Sequence, residues 1–141
     1  MTGQERTPIA AEEYAREALD SRRMTAGQPP TTDAIRGLIR RLLEVSPFSG
    51  REQLLAQVEG VEYIDGPVTM MDLRVVGVCP SATGVPSPVP SSPTVVGNHG
   101  EPIGSLVLWL DAQGYINCLE YAWFTDEMPT DLPPPDRVTA R

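Results

Sequence analysis

The spacing of hydrophobic and polar residues changes near residue 60 of this 141-residue chain. From Asp33 to Val45, apolar side chains recur at every third or fourth position, which predicts an amphipathic helix that buries one stripe. Ser49 precedes Glu52 by three residues, the spacing of a capping box, and predicts a second, short helix through about Val58. Beyond residue 60 the apolar residues alternate or run together, which is typical of β-strands.

The clearest pair of strands lies in residues 103–126. The sequence DAQG at residues 111–114, with Asp first and Gly fourth as in a type I turn, separates an apolar run from an aromatic-rich one. Two more runs, residues 61–64 and 68–76, flank Asp65-Gly66, a dipeptide that favours a tight hairpin turn. Residues 93–96 add a fifth strand. The pattern therefore predicts an α+β fold, with two helices packed on an antiparallel sheet of about five strands.

Composition divides the chain into one folded domain and two flanking segments. Residues 1–30 predict a helix with a thin apolar face followed by a linker, so we expect a loosely attached N-terminal extension. Residues 31–127 form the single α+β domain, and residues 128–141 are an acidic, Pro-rich tail. Within the domain, residues 78–93 contain five Pro and predict a long exposed loop that is either functional or disordered.

The strand at residues 115–124 has no plainly polar face. Leu119, Tyr121 and Trp123 share one side, and Cys118 and Glu120 share the other. Either helices cover one face while loops and the tail cover the other, or one face is an apolar surface for a partner. We expect Trp109 and Leu119 to be largely buried in the core.

The charge of the chain is concentrated in its β-rich half. Residues 61–141 hold ten acidic residues against three Arg and account for nearly all of the net charge of −8. Binding to DNA or RNA requires a basic surface, and the one basic cluster, Arg36, Arg40 and Arg41, is typical of a solvated helix face. We therefore expect no nucleic-acid partner.

Several kinds of chemistry are disfavoured by composition. The eleven basic residues are all Arg, so neither a Schiff-base lysine nor a phosphate-loop lysine is present. Cys79 and Cys118 lie 39 residues apart, without a zinc-binding spacing. We expect no metal and no cofactor. The sequence contains no run of 18 apolar residues and no apolar signal-peptide core, which predicts a cytoplasmic protein that does not span a membrane.

Two residues are candidates for chemistry at a small-molecule site. His99 is the single histidine, but it lies in a turn, and no nucleophile or orienting partner can be assigned to it, so we assign no catalytic residue. Glu120 interrupts an apolar strand face, where an unpaired carboxylate is costly to bury. Arg74 is its natural partner in a structural ion pair. The alternative is that Glu120 is the carboxylate of a ligand pocket.

A second candidate site combines aromatic residues with carboxylates. Tyr121 and Trp123 are followed by the acidic residues Asp126, Glu127 and Asp131. Aromatic anchors rimmed by carboxylates suit a basic protein, which they attract electrostatically and then hold by burial. These five residues are the predicted partner-binding site.

The block W-L-x-x-x-G-Y-I-x-x-L-E-Y-x-W-F-T-D-E-x-P at residues 109–129 resembles a C-terminal block of small uncharacterised bacterial proteins, especially from actinobacteria. The segment SPFSGRE at residues 46–52 resembles their N-terminal part, and the resemblance covers about residues 31–138. It implies no activity. Similar small acidic proteins include immunity proteins that neutralise bacterial toxins. The sequence thus favours a protein-binding module of this kind, and the alternative is a small-ligand-binding protein or enzyme with a pocket around Glu120. The oligomeric state is left open.

Overall fold

The computed structural model describes residues 29–140 and confirms the α+β class. The predicted N-terminal helix falls in residues 1–28, outside the described residues. The elements in chain order are α1 (Thr32–Glu44), α2 (Arg51–Gln57), a 3-10 turn (Val58–Gly60), β1 (Val61–Asp65), β2 (Met70–Val75), β3 (Thr94–Val96), β4 (Pro102–Leu110), β5 (Ile116–Trp123), a second 3-10 turn (Pro135–Arg137) and β6 (Val138–Thr139).

Both helices form near their predicted positions, but only one is capped by a side chain. The hydroxyl of Thr31 accepts the N–H of Ala34 at 3.0 Å and begins α1. The predicted capping box at Ser49 is wrong, because α2 begins after Gly50, which has a φ of 96° and makes no side-chain cap bond. Gly is favoured here for two reasons, since its φ is left-handed and an added Cβ would collide with Val85.

The six strands form one antiparallel sheet in the order β1-β2-β5-β4-β3-β6. The central hairpin of β4 and β5 has the predicted turn: Gly114 donates its N–H to the carbonyl of Asp111 at 3.1 Å, and an Asp111 carboxylate oxygen accepts the N–H of Gln113 at 2.9 Å. The turn between β1 and β2 is wider than predicted. Its closing bond runs from the N–H of Met70 to the carbonyl of Pro67, because Pro67 prevents a two-residue turn.

One side of the sheet, the helix face, contains the core. Its fully buried side chains pack against the apolar stripe of α1, and they include Met71, Leu73, Leu106, Leu108 and Leu119. A β-bulge interrupts the pairing of β4 with β5 between Trp109 and Leu110. It changes the alternation of side chains along β5, so Ile116, which lies opposite Leu110, also belongs to this core. Leu119 is therefore buried as expected.

The opposite side of the sheet is the open face. The side chains that strand pairing places on it include Glu62, Asp65, Met70, Asp72, Arg74, Ser105, Val107, Trp109, Cys118, Glu120 and Ala122. Trp109 was expected in the core, but it lies on this face and is only partly buried. Within residues 29–140, both helices, the Pro-rich loop and the C-terminal segment all pack on the helix face. Of the two alternatives for this sheet, the described part of the chain does not show the one in which loops and the tail cover the second face.

The loop at residues 78–93 is irregular, as predicted, but it is packed against the domain. Ala82 and Val89 belong to the core, and the N–H of Val89 bonds the carbonyl of Leu108 at 2.9 Å. The hydroxyl of Ser87 bonds both the N–H and the carbonyl of Leu110. The loop therefore occupies the part of the β4 edge that β3 does not reach, without forming a continuous ladder, which its prolines would interrupt.

The arginines of α1 hold the edges of the sheet. Arg36 donates to the carbonyl of Val61 in β1, and Arg41 donates to that of Val138 in β6, each at 3.0 Å. Arg40 pairs with Glu59. The basic cluster of the sequence is therefore engaged within the domain. Its bond to Val138 helps to dock β6, so the predicted tail ends in a sixth strand.

Gln57 joins the helices to the loop and the central hairpin. Its side chain is fully buried, and its amide donates to the carbonyls of Pro80 and Gly114 and accepts the N–H of Ile116, each at 2.9 Å. A buried amide stabilises a fold when its hydrogen bonds are made and destabilises it when they are not.

We expect Gln57→Ala to lower the free energy of unfolding by about 2 to 4 kcal/mol, because it leaves the N–H of Ile116 unpaired in the interior and removes the hydrogen bonds to the carbonyls of Pro80 and Gly114. Gln53→Ala changes an exposed residue of the same helix and should cost less than about 0.5 kcal/mol. Urea denaturation of both variants measures the difference. Equal stabilities would show that the Gln57 hydrogen bonds contribute nothing.

Candidate functional site

The open face has an apolar centre that crosses three strands. Trp109 lies opposite Cys118, and Val107 lies opposite Glu120, in the β4–β5 pair. On the other side of β5, Met70 lies opposite Glu120. Side chains directly opposite each other in an antiparallel pair are in contact range, so these residues form one continuous patch. Met70 is 44% exposed, which leaves much of the patch open to solvent.

Glu120 is bound within the patch and not by Arg74. The indole N–H of Trp109 donates to a carboxylate oxygen of Glu120 at 3.0 Å. Arg74 instead pairs with Glu62 on the neighbouring strand, at 3.0 Å. The predicted ion pair between Glu120 and Arg74 is therefore wrong. Glu62 lies directly across the β1–β2 ladder from Arg74, whereas Glu120 lies across from Met70.

Cys118 is a protonated thiol at the centre of this patch. Burial, together with the negative charges of Asp72 and Glu120, raises the pKa of the thiol to about 11. The protonated sulfur lies 3.3 Å from the thioether sulfur of Met70, to which it can donate. Because the thiolate is the nucleophilic form, this environment makes Cys118 a poor nucleophile.

The border of the patch is acidic. Asp65 and Asp72 lie opposite each other on β1 and β2, and both are exposed. With Glu62 and Glu120, the described part of the chain gives the open face four carboxylates against the single cation of Arg74. The exposed polar side of β2 was expected from its alternation, but its position beside the Trp109 patch follows from the pairing of β2 with β5.

A second feature, the C-terminal groove, lies where β5 ends. It has a volume of about 710 Å³, and its lining consists of Ile103, Tyr121 and residues 125–130. Of the predicted partner-binding residues, Tyr121, Asp126 and Glu127 meet here. Trp123 is 40% exposed on the same strand but does not line the groove, and Asp131 is exposed beyond it.

Tyr121 differs from the exposed aromatic anchor that the sequence suggested. Its side chain is 4% exposed and belongs to the core. The ring packs across Gly104, where an added Cβ would meet the ring at 2.5 Å. Burial raises the pKa of the phenol above its ordinary value, so the hydroxyl stays protonated at neutral pH. Tyr121 therefore cannot offer its ring to a partner as Trp123 can.

The remaining candidates give no catalytic arrangement. His99 is exposed in its turn, and its backbone N–H donates to the carboxylate of Glu101 at 2.9 Å. Glu120 lines neither the C-terminal groove nor the two smaller cavities, of about 420 and 190 Å³, elsewhere on the surface. In the described part of the chain, no three His, Cys, Asp or Glu side chains meet as metal ligands. No helix in residues 29–140 has the length and apolar character needed to cross a membrane.

Comparisons with protein families, with characterised proteins and with solved structures gave no match to this chain. The site must therefore be interpreted from its own geometry.

The environment of Cys118 gives a pH-dependent prediction. In a Cys79→Ser background, alkylation of Cys118 by iodoacetamide should be slow at pH 8, where about one thiol in a thousand is ionised. The rate should rise about tenfold per pH unit, because a thiol with a raised pKa becomes thiolate only at high pH. Adding Asp72→Asn should speed the reaction, and Glu44→Gln on α1 should not. A rate that levels off near pH 9 would contradict the raised pKa.

Proposed function

We propose that this protein is a protein-binding module that uses its open face to bind a basic partner. One observation carries the proposal: the side of the sheet that no described element covers presents a partly exposed tryptophan beside an acidic border. A continuous apolar surface rimmed by polar residues is typical of a protein interface.

Trp109 has the properties of an interface anchor. Its ring supplies a large apolar area, and Glu120 already accepts its N–H. A partner that covers the ring therefore leaves no buried N–H unpaired, which removes a common cost of burying tryptophan. Met70 and Val107 extend the apolar area on either side. Aromatic residues that are surrounded by other contacts contribute most of the binding energy in many interfaces.

The charge of the open face indicates the kind of partner. Four carboxylates oppose one Arg, and that Arg is paired with Glu62. The rest of the β-rich half is also acidic. Such a surface attracts a basic protein over several ångströms and repels nucleic acid, because phosphate has the same sign of charge.

The geometry gives less support to a small-ligand site or an active site around Glu120. Ligand sites are usually concave and enclose most of the ligand. Glu120 lies on the sheet face, accepts a hydrogen bond from Trp109 and lines none of the three described cavities.

The narrower form of this proposal is that the partner is a bacterial toxin and that binding neutralises it. It is supported by the resemblance of residues 109–129 to small uncharacterised bacterial proteins, since similar small acidic proteins include immunity proteins, and by the charge of the open face, which suits a toxin with a basic surface. Co-expression with a toxin encoded beside this protein tests the narrower form. Survival that depends on Trp109 supports it, and death of cells that hold the wild-type protein contradicts it.

The partner can be identified by crosslinking from the open face. A photo-crosslinking amino acid at Val107 should capture a protein from the source cells that the same group at Gln53, on the exposed side of α2, does not capture. Failure to capture any protein specifically from Val107 would contradict the proposal.

The purified partner then allows a kinetic prediction. Asp65→Asn with Asp72→Asn should slow association severalfold at low salt and flatten its salt dependence, because border charges act mainly on encounter rates. Trp109→Ala should instead speed dissociation. The control pair Glu44→Gln with Glu52→Gln removes the same charge from the helix side. If the control pair slows association equally, the open face is not the interface.

A further inference from the structure

The C-terminal groove contains an unpaired polar group that its neighbours do not explain. The hydroxyl of Tyr121 has no hydrogen-bond partner among residues 29–140, although the residue is 96% buried and lines the groove. Most buried tyrosines bond their hydroxyl to a neighbour, because an unpaired buried hydroxyl loses its hydrogen bonds to water. An unpaired hydroxyl at the wall of a groove is available to a bound group.

Two carboxylates of the groove are also unpaired. Neither Asp126 nor Glu127 has an ion-pair partner in the described part of the chain, and both are exposed. Their segment is held in place, because Thr125 donates its hydroxyl to the carbonyl of Glu127 at 2.9 Å. The hydroxyl of Thr69, in the turn before β2, also lies 4.0 Å from the sulfur of Met128. The acidic rim is therefore positioned before any ligand binds.

We propose that the C-terminal groove binds an arginine side chain of a protein or peptide. A planar guanidinium group donates several hydrogen bonds in one plane, which suits two carboxylates and the oxygen of a phenol. The apolar stem of arginine can lie along Ile103 and Met128, which are in the lining of the groove. Arginine is favoured over lysine because its guanidinium is more weakly hydrated and makes more bonds of fixed geometry.

This inference concerns a site separate from the open face. The groove is formed by the end of β5 and by residues 125–130, whereas the proposed partner surface centres on Trp109. A basic partner could use both, but an arginine side chain can be tested by itself. Failure of one proposal is therefore distinguishable from failure of the other.

The test uses N-acetyl-arginine amide as the probe and N-acetyl-citrulline amide, which has a similar shape but no charge, as its comparison. Methyl NMR signals of Ile103 and Met128 report on the groove during titration of the full chain. We expect saturable binding of the arginine probe at millimolar concentration and at least about tenfold weaker binding of the citrulline probe. Equal binding of the two probes, or no shift with either, would overturn the proposal.

Tyr121→Phe removes only the hydroxyl, so it should weaken binding of the arginine probe about tenfold. The melting temperature should not fall, because that hydroxyl has no partner among residues 29–140. Asp126→Asn with Glu127→Gln should weaken binding further and remove its salt dependence. Asp131→Asn with Asp136→Asn alters two exposed carboxylates outside the groove and serves as the matched control.

Two outcomes with these variants would overturn the arginine site. One is unchanged probe affinity in Tyr121→Phe, and the other is equal weakening by the control pair. Trp109→Ala on the open face should leave probe binding unchanged. If the probe binds as expected and crosslinking from Val107 captures no partner, the arginine site in the C-terminal groove is supported and the proposed function is contradicted.

Discussion

The side-chain amide of Gln57 joins parts of the chain that are far apart in the sequence. One short helix, the Pro-rich loop, the turn of the central hairpin and the start of β5 all depend on its three hydrogen bonds. Because the N–H of Ile116 is buried, water cannot replace its bond to Gln57 if that bond is lost. Its geometry therefore fixes where α2 and the loop lie against the sheet. An irregular loop with five prolines needs such an anchor, because it cannot form a regular ladder.

This arrangement places both helices and the loop on one face of the sheet, and the open face follows from it. A six-stranded sheet has two faces, and the described elements cover one of them. The residues left on the other face alternate with those of the core, so a single strand supplies both Leu119 to the interior and Glu120 to the surface. The stability of the core and the composition of the open face are thus coupled through the register of β4 and β5.

The two proposed sites use negative charge in different ways. On the open face, carboxylates surround a wide apolar patch, which suits a protein surface that is attracted by charge and held by burial. In the C-terminal groove, carboxylates stand beside a buried and unpaired hydroxyl, which suits a single cationic side chain. A basic protein that carries an exposed arginine could satisfy both sites.

The sequence by itself determined the elements whose signals are local. The helical spacing of residues 33–45, the turn at residues 111–114 and the apolar runs on either side of that turn predicted the α+β class, because periodicity and turn chemistry depend on near neighbours. The charge asymmetry and the acidic residues after Trp123 also predicted an acidic surface for a basic partner, and that partner stays a prediction. Trp109 was placed on the wrong face because apolar character alone does not distinguish a core position from an interface position.

Only the tertiary structure decided the contacts between distant segments. The bulge opposite Ile116 moved one residue to the core, the pairing of Arg74 with Glu62 freed Glu120 to bind Trp109, and the docking of β6 used an arginine expected to be solvated. Each of these three contacts depends on which strands are neighbours in the sheet and on the register in which they pair. A local pattern does not encode this, because register is set by the sum of packing across the whole sheet.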